Sequence, residues 1–432
     1  MGVIEEKIKD EYYRNLDISR DRVILHSDFN NFFASVEFLS DPTLINVPLA
    51  VCGDEKERHG IVLAKNERAK RYGIKTGESV KSAREKCRDL VTRPARYCEY
   101  VKYSRMVRDI YLRYTPLVEP FGIDEAWLDV SAFAKRRKGE LFSVAHDIAR
   151  EIKKAVYNET GLSVSIGVSF NKVFAKLASD MKNEENITVI SPDNFREIVG
   201  KLKVNRILYV GRQTDIVLKR NRFFTLSDVA RQPRSCLKDI FGKFGETVWD
   251  FSNGLDFSPV SVYTPEEETD SISNSRTLPY DITTYSDAEN VLFSLCESVV
   301  ERMKHRGLSC STVRIWVRWD NLSSITRQMK RDSFTCVLAD IFSDCSILFR
   351  ENVDFKRSVR SIGVAVENLQ SVRREQISVF DYARETPKTK VDMAFDAMKK
   401  KFGDGIITRA SYITKKELSC FDKSHPAFNH NL

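Results

Sequence analysis

The sequence predicts an α+β chain of several domains, and three observations carry that expectation. At 432 residues the chain exceeds what one hydrophobic core usually holds, so about two to four domains are expected. Apolar runs punctuated by Pro and Gly alternate with stretches of helical spacing, in the order strand, helix, hairpin, helix, strand, an order typical of split βαβ sheets with helices on one face. Two acidic clusters, at Asp28 and at Asp124-Glu125, each interrupt a strand-like run.

Residues 22–27 form an apolar run that stops at Asp28, and 31–39 follow with Phe32, Val36 and Leu39 at helical spacing, so a strand passes into a helix. Asp41-Pro42 breaks that pattern. Residues 48–52 and 60–64 read as two short strands before a basic helix over 66–72, a small lobe of its own. A helix over 100–114 leads into strands at 117–122 and 126–130, whose Pro120 and Gly122 make a hairpin with Asp124 and Glu125 at its tip. A helix over 141–159, a strand over 163–169 and a helix over 171–182 complete the unit. Beyond residue 191, the segment 204–208, the turn 209–212 and the basic helix 213–222 suggest a helix-hairpin-helix module, which offers backbone N–H groups to phosphate. The polar stretch 253–275 reads as an exposed linker. A long helix over 286–306, strands at 312–319 and 323–331, a helix over 337–350 and a strand over 357–366 form a last domain. In its first strand Val313, Ile315, Val317 and Trp319 alternate with Arg314, Trp316 and Arg318, which predicts one buried face and one cationic, aromatic face.

Composition narrows the class. With 42% hydrophobic and 30% charged residues, the chain reads as a globular protein rather than a disordered one. No apolar run reaches membrane-spanning length and the N-terminus lacks a signal-peptide core, so a cytoplasmic location without membrane partners is expected. Nine cysteines without a Cys-x-x-Cys pair read as free thiols in a reducing compartment and do not suggest zinc. A formal charge of +8 favours an acidic partner such as nucleic acid.

A strand end tolerates an ionised carboxylate when it is paired or coordinated, because desolvating an isolated one costs several kcal/mol or more. Asp28, Asp124 and Glu125 are therefore candidate ligands of a pair of Mg²⁺ ions, the arrangement that in-line nucleotidyl transfer requires. Mn²⁺ is an admissible substitute in such an oxygen-rich site. An acidic doublet alone reads more readily as a solvated turn; its place after Gly122-Ile123 and before Ala126-Trp127-Leu128, in the company of Asp28, favours the metal reading.

The stretches Asp28-Phe29-Asn30-Asn31-Phe32-Phe33-Ala34-Ser35-Val36-Glu37, Gly77-Glu78, Ile123 to Asp129 and Ser165 to Met181 together resemble the Y-family (translesion) DNA polymerases, most closely the bacterial DinB/UmuC branch, over roughly residues 22–412. The resemblance implies a right-hand polymerase: a 1–21 extension, a ferredoxin-like palm at 22–39 and 99–190, small fingers at 40–98 and a helix-hairpin-helix thumb at 191–256. A linker at 257–272, an α/β little finger at 273–370 and a C-terminal segment at 371–432 follow. It implies low-fidelity, template-directed DNA synthesis from dNTPs on primer-template DNA, without proofreading, by a monomer.

By the same resemblance Asp28 and Asp124 bridge both ions, the Phe29 carbonyl completes one shell, and Glu125 favours the ion beside the primer hydroxyl. Phe33 becomes the steric gate against a 2′-hydroxyl, with Phe32 beside it at the nucleotide. The family's Tyr-x-x-Arg triphosphate pair falls on Glu67 and Lys70, and its Lys-Pro on Asn183-Glu184, so Lys70 and Lys182 are expected to substitute. Gly122 replaces a usual Ser, a change expected to be mild, and Tyr209 stands where a Gly is common. Gly211 in the hairpin and Arg314, Arg318, Lys330, Arg331 and Arg360 in the last domain are candidate phosphate contacts; any one of the basic residues reads equally as part of a solvated face, and the pattern across adjacent strands favours phosphate. Gln376, Val379 and Phe380 resemble the short peptide that binds the sliding clamp. The rival to a working polymerase is an inactive homologue serving as a DNA-repair scaffold.

Overall fold

The computed structural model describes residues 21–54, 60–181, 183–264 and 270–371, and also residues 394, 397, 398, 401, 402 and 418. Three sheets organise them. Strand β1 (Ile24–Phe29) runs into helix α1 (Phe32–Ser40), and the chain then leaves for a small lobe before returning. That lobe holds β2 (Leu49–Cys52), β3 (Val62–Lys65), α2 (Glu67–Arg71), α3 (Val80–Lys86) and β4 (Val91–Pro94), around a modest core that includes Ala50, Val62, Ile74 and Val80.

Helix α4 (Tyr97–Leu112) brings the chain back to the hairpin β5 (Val118–Pro120) and β6 (Glu125–Asp129). Then come α5 (Ser131–Lys135), α6 (Leu141–Thr160), β7 (Val164–Ser169), α7 (Lys172–Ser179) and β8 (Ile187–Ile190). The resulting five-stranded sheet has the order β5-β6-β1-β7-β8. Its centre, β1, pairs antiparallel with β6 and with β7, so Asp28 lies opposite Glu125 on one side and Ser165 on the other. Leu25, Phe29, Val164 and Val168 point to the face where Ile148, Ile152 and Tyr111 pack; Tyr111 Oη donates to Ser27 Oγ at 2.7 Å on that face.

The expectation of helices on one face needs correction. Helix α7 lies against the other face: a Cβ added to Gly167, the residue opposite His26, would sit 1.9 Å from the Ala175 carbonyl oxygen and 2.5 Å from the Ser179 nitrogen. Glycine there lets the helix backbone rest directly on the strand.

Five helices follow: α8 (Phe195–Gly200), α9 (Arg212–Arg220), α10 (Leu226–Ala230), α11 (Arg234–Phe241) and α12 (Lys243–Ser252). Gly245 allows α12 to approach α11, since an added Cβ would sit 1.8 Å from the Leu237 carbonyl oxygen. Tyr209, exposed at 61%, adopts a φ of +68°, which costs a non-glycine residue about 1 kcal/mol.

The polar stretch after α12 is not an exposed linker throughout. Val260 is buried against Ile24, Trp127 and Ala175. The Ser261 N–H donates to Glu119 Oε2 at 2.9 Å and the Tyr263 N–H to the Pro116 carbonyl at 3.1 Å, so this strap is fastened along the β5 side of the sheet. Its end, β9 (Ser271–Ile282), is a strand. With α13 (Tyr285–His305), β10 (Leu308–Trp319), β11 (Ser324–Thr335), α14 (Leu338–Asn352) and β12 (Val359–Ser371), it builds a four-stranded sheet ordered β11-β10-β12-β9. Val313, Ile315 and Val317 are fully buried beneath the two helices, where Leu418 also packs. Arg314, Trp316 and Arg318 lie partly exposed on the opposite face.

Candidate active site

The turn from β1 into α1 is held by Asn30 and Asn31. The Asn30 N–H donates to the Ser163 carbonyl at 2.9 Å, its Nδ2 reaches Ser163 Oγ at 3.1 Å, and its Oδ1 accepts from Ser165 Oγ at 2.8 Å. Asn31 takes the left-handed backbone, φ 51°, which asparagine tolerates better than most residues. Asp28 is thereby fixed at the strand end. The Phe29 N–H donates to the Asp124 carbonyl at 3.0 Å, and the register places Glu125 directly across from Asp28. Gly122 makes the hairpin loop possible with a φ of +98°. A serine there would be strained, so the departure expected to be mild is a backbone requirement in this chain.

The electrostatics of these acids are uneven. Burial, then the charges of Glu125 and Asp124, push the Asp28 carboxyl up to about 7. Asp124 is raised for the same first two reasons, burial and Glu125. Glu125 goes the other way: burial alone would raise it, but contacts with His26 and Lys176 hold it below its usual value. His26 is itself held low by burial, so the positive charge facing Glu125 is that of Lys176.

Sequence reasoning missed three of these neighbours. Lys176 Nζ forms an ion pair with Glu125 Oε2. His26, fully buried, shares a 2.7 Å hydrogen bond between Nδ1 and Ser179 Oγ, and its Nε2 lies 3.3 Å from Glu125 Oε2 without a hydrogen bond. Asp180, at the end of α7, adds negative potential at Asp28. His26 had a signal of its own, a histidine inside an apolar strand, and the small residues Ala175, Ala178 and Ser179 marked the close face of the helix without marking Lys176 or Asp180.

The donor set fits a divalent cation in chemistry. It consists of hard carboxylate oxygens and a backbone carbonyl, and the Asp28 carboxyl, raised first by burial and then by Glu125 and Asp124, is a desolvated acid among like charges that a cation would relieve. The side chains do not form a finished cage. Among the described residues no three His, Cys, Asp or Glu side chains are grouped closely enough to hold an ion, and Glu125 is turned onto Lys176.

Phe32 is buried, stacked on Phe29 with centroids 4.4 Å apart, whereas Phe33 is partly exposed and stacks on Tyr100 at 4.1 Å. Tyr100 is anchored in turn, its Oη donating to Glu37 Oε1 at 2.8 Å while Arg96 grips the same carboxylate. Leu39, expected to share the core face of α1, is 38% exposed. Lys70 lies on exposed α2, 3.5 Å from Glu67 Oε1. Lys182, Gln376, Val379 and Phe380 fall outside the described residues.

The basic candidates divide. Gly211 caps α9, while Arg318 and Lys330 stand on the open face of the last sheet and Arg360 is partly exposed. Arg314 shares that face but is paired with Glu367 at 2.6 Å. Arg331 corrects the expectation: adjacent residues of a strand face opposite ways, and its guanidinium binds Asp344 at 2.6 Å and approaches Asp340 at 3.7 Å beneath the sheet.

Residues 27–180 match the impB/mucB/samB family and residues 269–379 match that family's C-terminal domain. The chain is 40% identical over 400 residues to DNA polymerase IV of Acetivibrio thermocellus, an alignment spanning 92% of this chain and 99% of that one. It is 33% identical over 403 residues to DNA polymerase IV of Moorella thermoacetica, spanning 92% and 98%. A solved Y-family DNA polymerase chimera of Dbh and Dpo4 shares the fold, with a TM-score of 0.73 at 22% identity, over 81% of this chain and 99% of that one. With two domains matched in order and relatives aligned almost end to end, the chain belongs to the impB/mucB/samB family of Y-family DNA polymerases.

Proposed function

We propose that this chain is a translesion DNA polymerase whose chemistry is centred on Asp28, Asp124 and Glu125. It is a DNA-directed DNA polymerase, extending primer-template DNA with dNTPs, and its reaction depends on divalent metal. The observation that carries the residue assignment is the pairing of Asp28 with Glu125 across β1 and β6, where burial, then the charge of Glu125 and then that of Asp124 drive the Asp28 carboxyl up to about 7.

Two Mg²⁺ ions, or Mn²⁺ in their place, would lower the pKa of the attacking 3′-hydroxyl and neutralise the triphosphate and leaving pyrophosphate. Asp28 and Asp124 would supply oxygens from the β1 and hairpin sides of the site, the Phe29 carbonyl would join them, and Glu125 would supply the third carboxylate. Phe33, held flat against Tyr100, fills the space a 2′-hydroxyl would need. Lys70 and Lys182 serve the triphosphate as point charges, without the bidentate fork of an arginine. Gly211, Arg318, Lys330 and Arg360 are proposed to hold DNA by its phosphates, as an enzyme that accepts every sequence must. Gln376, Val379 and Phe380 are proposed to engage a sliding clamp. We place the protein in the cytoplasm as a monomer; among its described residues no helix is long and apolar enough to cross a membrane. The relatives named above, both DNA polymerase IV, favour a working enzyme over the alternative of an inactive scaffold.

Primer extension with purified protein and Mg²⁺, beside Asp124→Ala, tests the reading. The parent is expected to extend and the variant to fail. A parent that extends no primer under any divalent ion overturns the function, and equal extension by both overturns the assignment of Asp124. Phe33→Ala is expected to weaken discrimination against ribonucleotides by roughly 10- to 100-fold, the range a steric contact supplies; an unchanged ratio would remove Phe33 from the gate.

A further inference from the structure

The Lys176 ammonium sits where a metal-binding carboxylate should be free. Glu125 and Lys176 are each less than 20% exposed, at 16% and 19%, so their ion pair is shielded from solvent and weakly screened. The helix that delivers Lys176 is fixed: Gly167 admits the backbone of α7 onto the sheet, and Ser179 Oγ donates to the Lys176 carbonyl at 2.8 Å. Ser179 Oγ also shares a 2.7 Å hydrogen bond with His26 Nδ1. The buried His26 Nε2 lies 3.3 Å from Glu125 Oε2, so the carboxylate is flanked by His26 on one side and by the Lys176 ammonium on another. From the same position the Lys176 Nζ also lies 5.4 Å from the centroid of the Phe121 ring, within cation–π range, so an aromatic face is at hand.

We propose that Lys176 is a resident stand-in cation: its ammonium occupies Glu125 in the metal-free enzyme, and a divalent ion enters by displacing it toward Phe121. The inference rests on the carboxylates being metal ligands, as proposed above. Lys176 is thus a positioning residue. It holds Glu125 oriented while the site is empty, and its displacement sets the metal concentration at which the site fills. A divalent ion outcompetes a single ammonium because Asp28 and Asp124 join Glu125 in binding it, whereas Lys176 satisfies one carboxylate alone.

The test is Mn²⁺ binding to the full chain without DNA, read from the electron paramagnetic resonance signal of free Mn²⁺, for the parent, K176M, K176Q, K176R and D124N. Removal of the competing ammonium is expected to tighten Mn²⁺ binding by roughly 5- to 10-fold in K176M and K176Q, the worth of one charge-assisted contact. K176R, which keeps the charge, should stay close to the parent. The half-saturating Mg²⁺ concentration for primer extension should fall in step. Unchanged or weaker binding in both neutral variants overturns the inference, even where the parent binds and D124N does not. A parent whose Mn²⁺ binding is absent, or is untouched by D124N, overturns the metal-ligand reading as well. K176Q guards against failure of K176M to fold.

Discussion

The palm sheet and the C-terminal sheet spend charge in opposite ways. At the palm, acidic side chains are drawn into a site with a lysine and a neutral histidine beneath them, and the cost appears in Asp28, whose carboxyl is raised to about 7. At the C-terminal sheet, Arg318 and Lys330 stay at the surface, while the arginine that is drawn under the sheet, Arg331, has Asp344 within 2.6 Å. Concentrated, desolvated charge makes a site that demands a particular ion. Dispersed, hydrated charge attracts any polyanion and distinguishes little.

The sharpest way to break this comparison is to measure metal-free stability against pH. The folded Asp28 pKa of about 7 exceeds the ordinary 3.8, so between these values the folded state holds a proton that the unfolded state has released. Stability must therefore fall as pH rises through that window and level off above it. Asp28→Asn removes the penalty. In chelator, urea denaturation at pH 8 should find the variant more stable by roughly 2–4 kcal/mol, and millimolar Mg²⁺ should rescue the parent alone. A pH-independent parent would mean that the acids are not in fact crowded.

Legibility in the sequence followed the division between centre and edge only in part, since the edge strands β3, β5 and β11 were read along with the central ones. Strand β1 with its terminal Asp28, the hairpin tip and the alternation of β10 were all visible, because central strands carry uninterrupted hydrophobic or alternating patterns. Strands β4, β8 and β9 were not, and each lies at the edge of its sheet. Edge strands accept Pro94 and Pro279 and the polar run Ser273-Asn274-Ser275, which read as loop or linker. In the site, the acids announced themselves by interrupting apolar runs. Lys176 did not, since a lysine on a helix ordinarily faces water, and only the glycine and alanine contact between α7 and β7 turns it inward.

Arg331 gives the next largest effect. Arg331→Ala leaves Asp344, which is 7% exposed, without its guanidinium partner, and the loss of that pair should cost about 2–3 kcal/mol in denaturant unfolding. The salt dependence of DNA binding should not move, because this arginine faces the helices. A changed salt slope with unaltered stability would put Arg331 back on the DNA face.

Arg318→Ala should do the reverse and by less. Its Nε donates to the Leu322 carbonyl at 3.1 Å in the adjoining turn, a contact at the surface whose loss should leave stability within about 0.5 kcal/mol of the parent. If the guanidinium neutralises one phosphate, the variant releases one counterion fewer. The slope of log affinity against log salt for a primer-template should then become shallower by about 0.9, with weakening that is uniform across sequences. Metal affinity in the same variant should stay at the parent value at every salt concentration, since the carboxylates lie in a different sheet and their interactions are shielded by protein rather than by ions. A variant that altered both quantities together would show that the two charge systems are one, and the contrast between a gripping site and an attracting surface would fail.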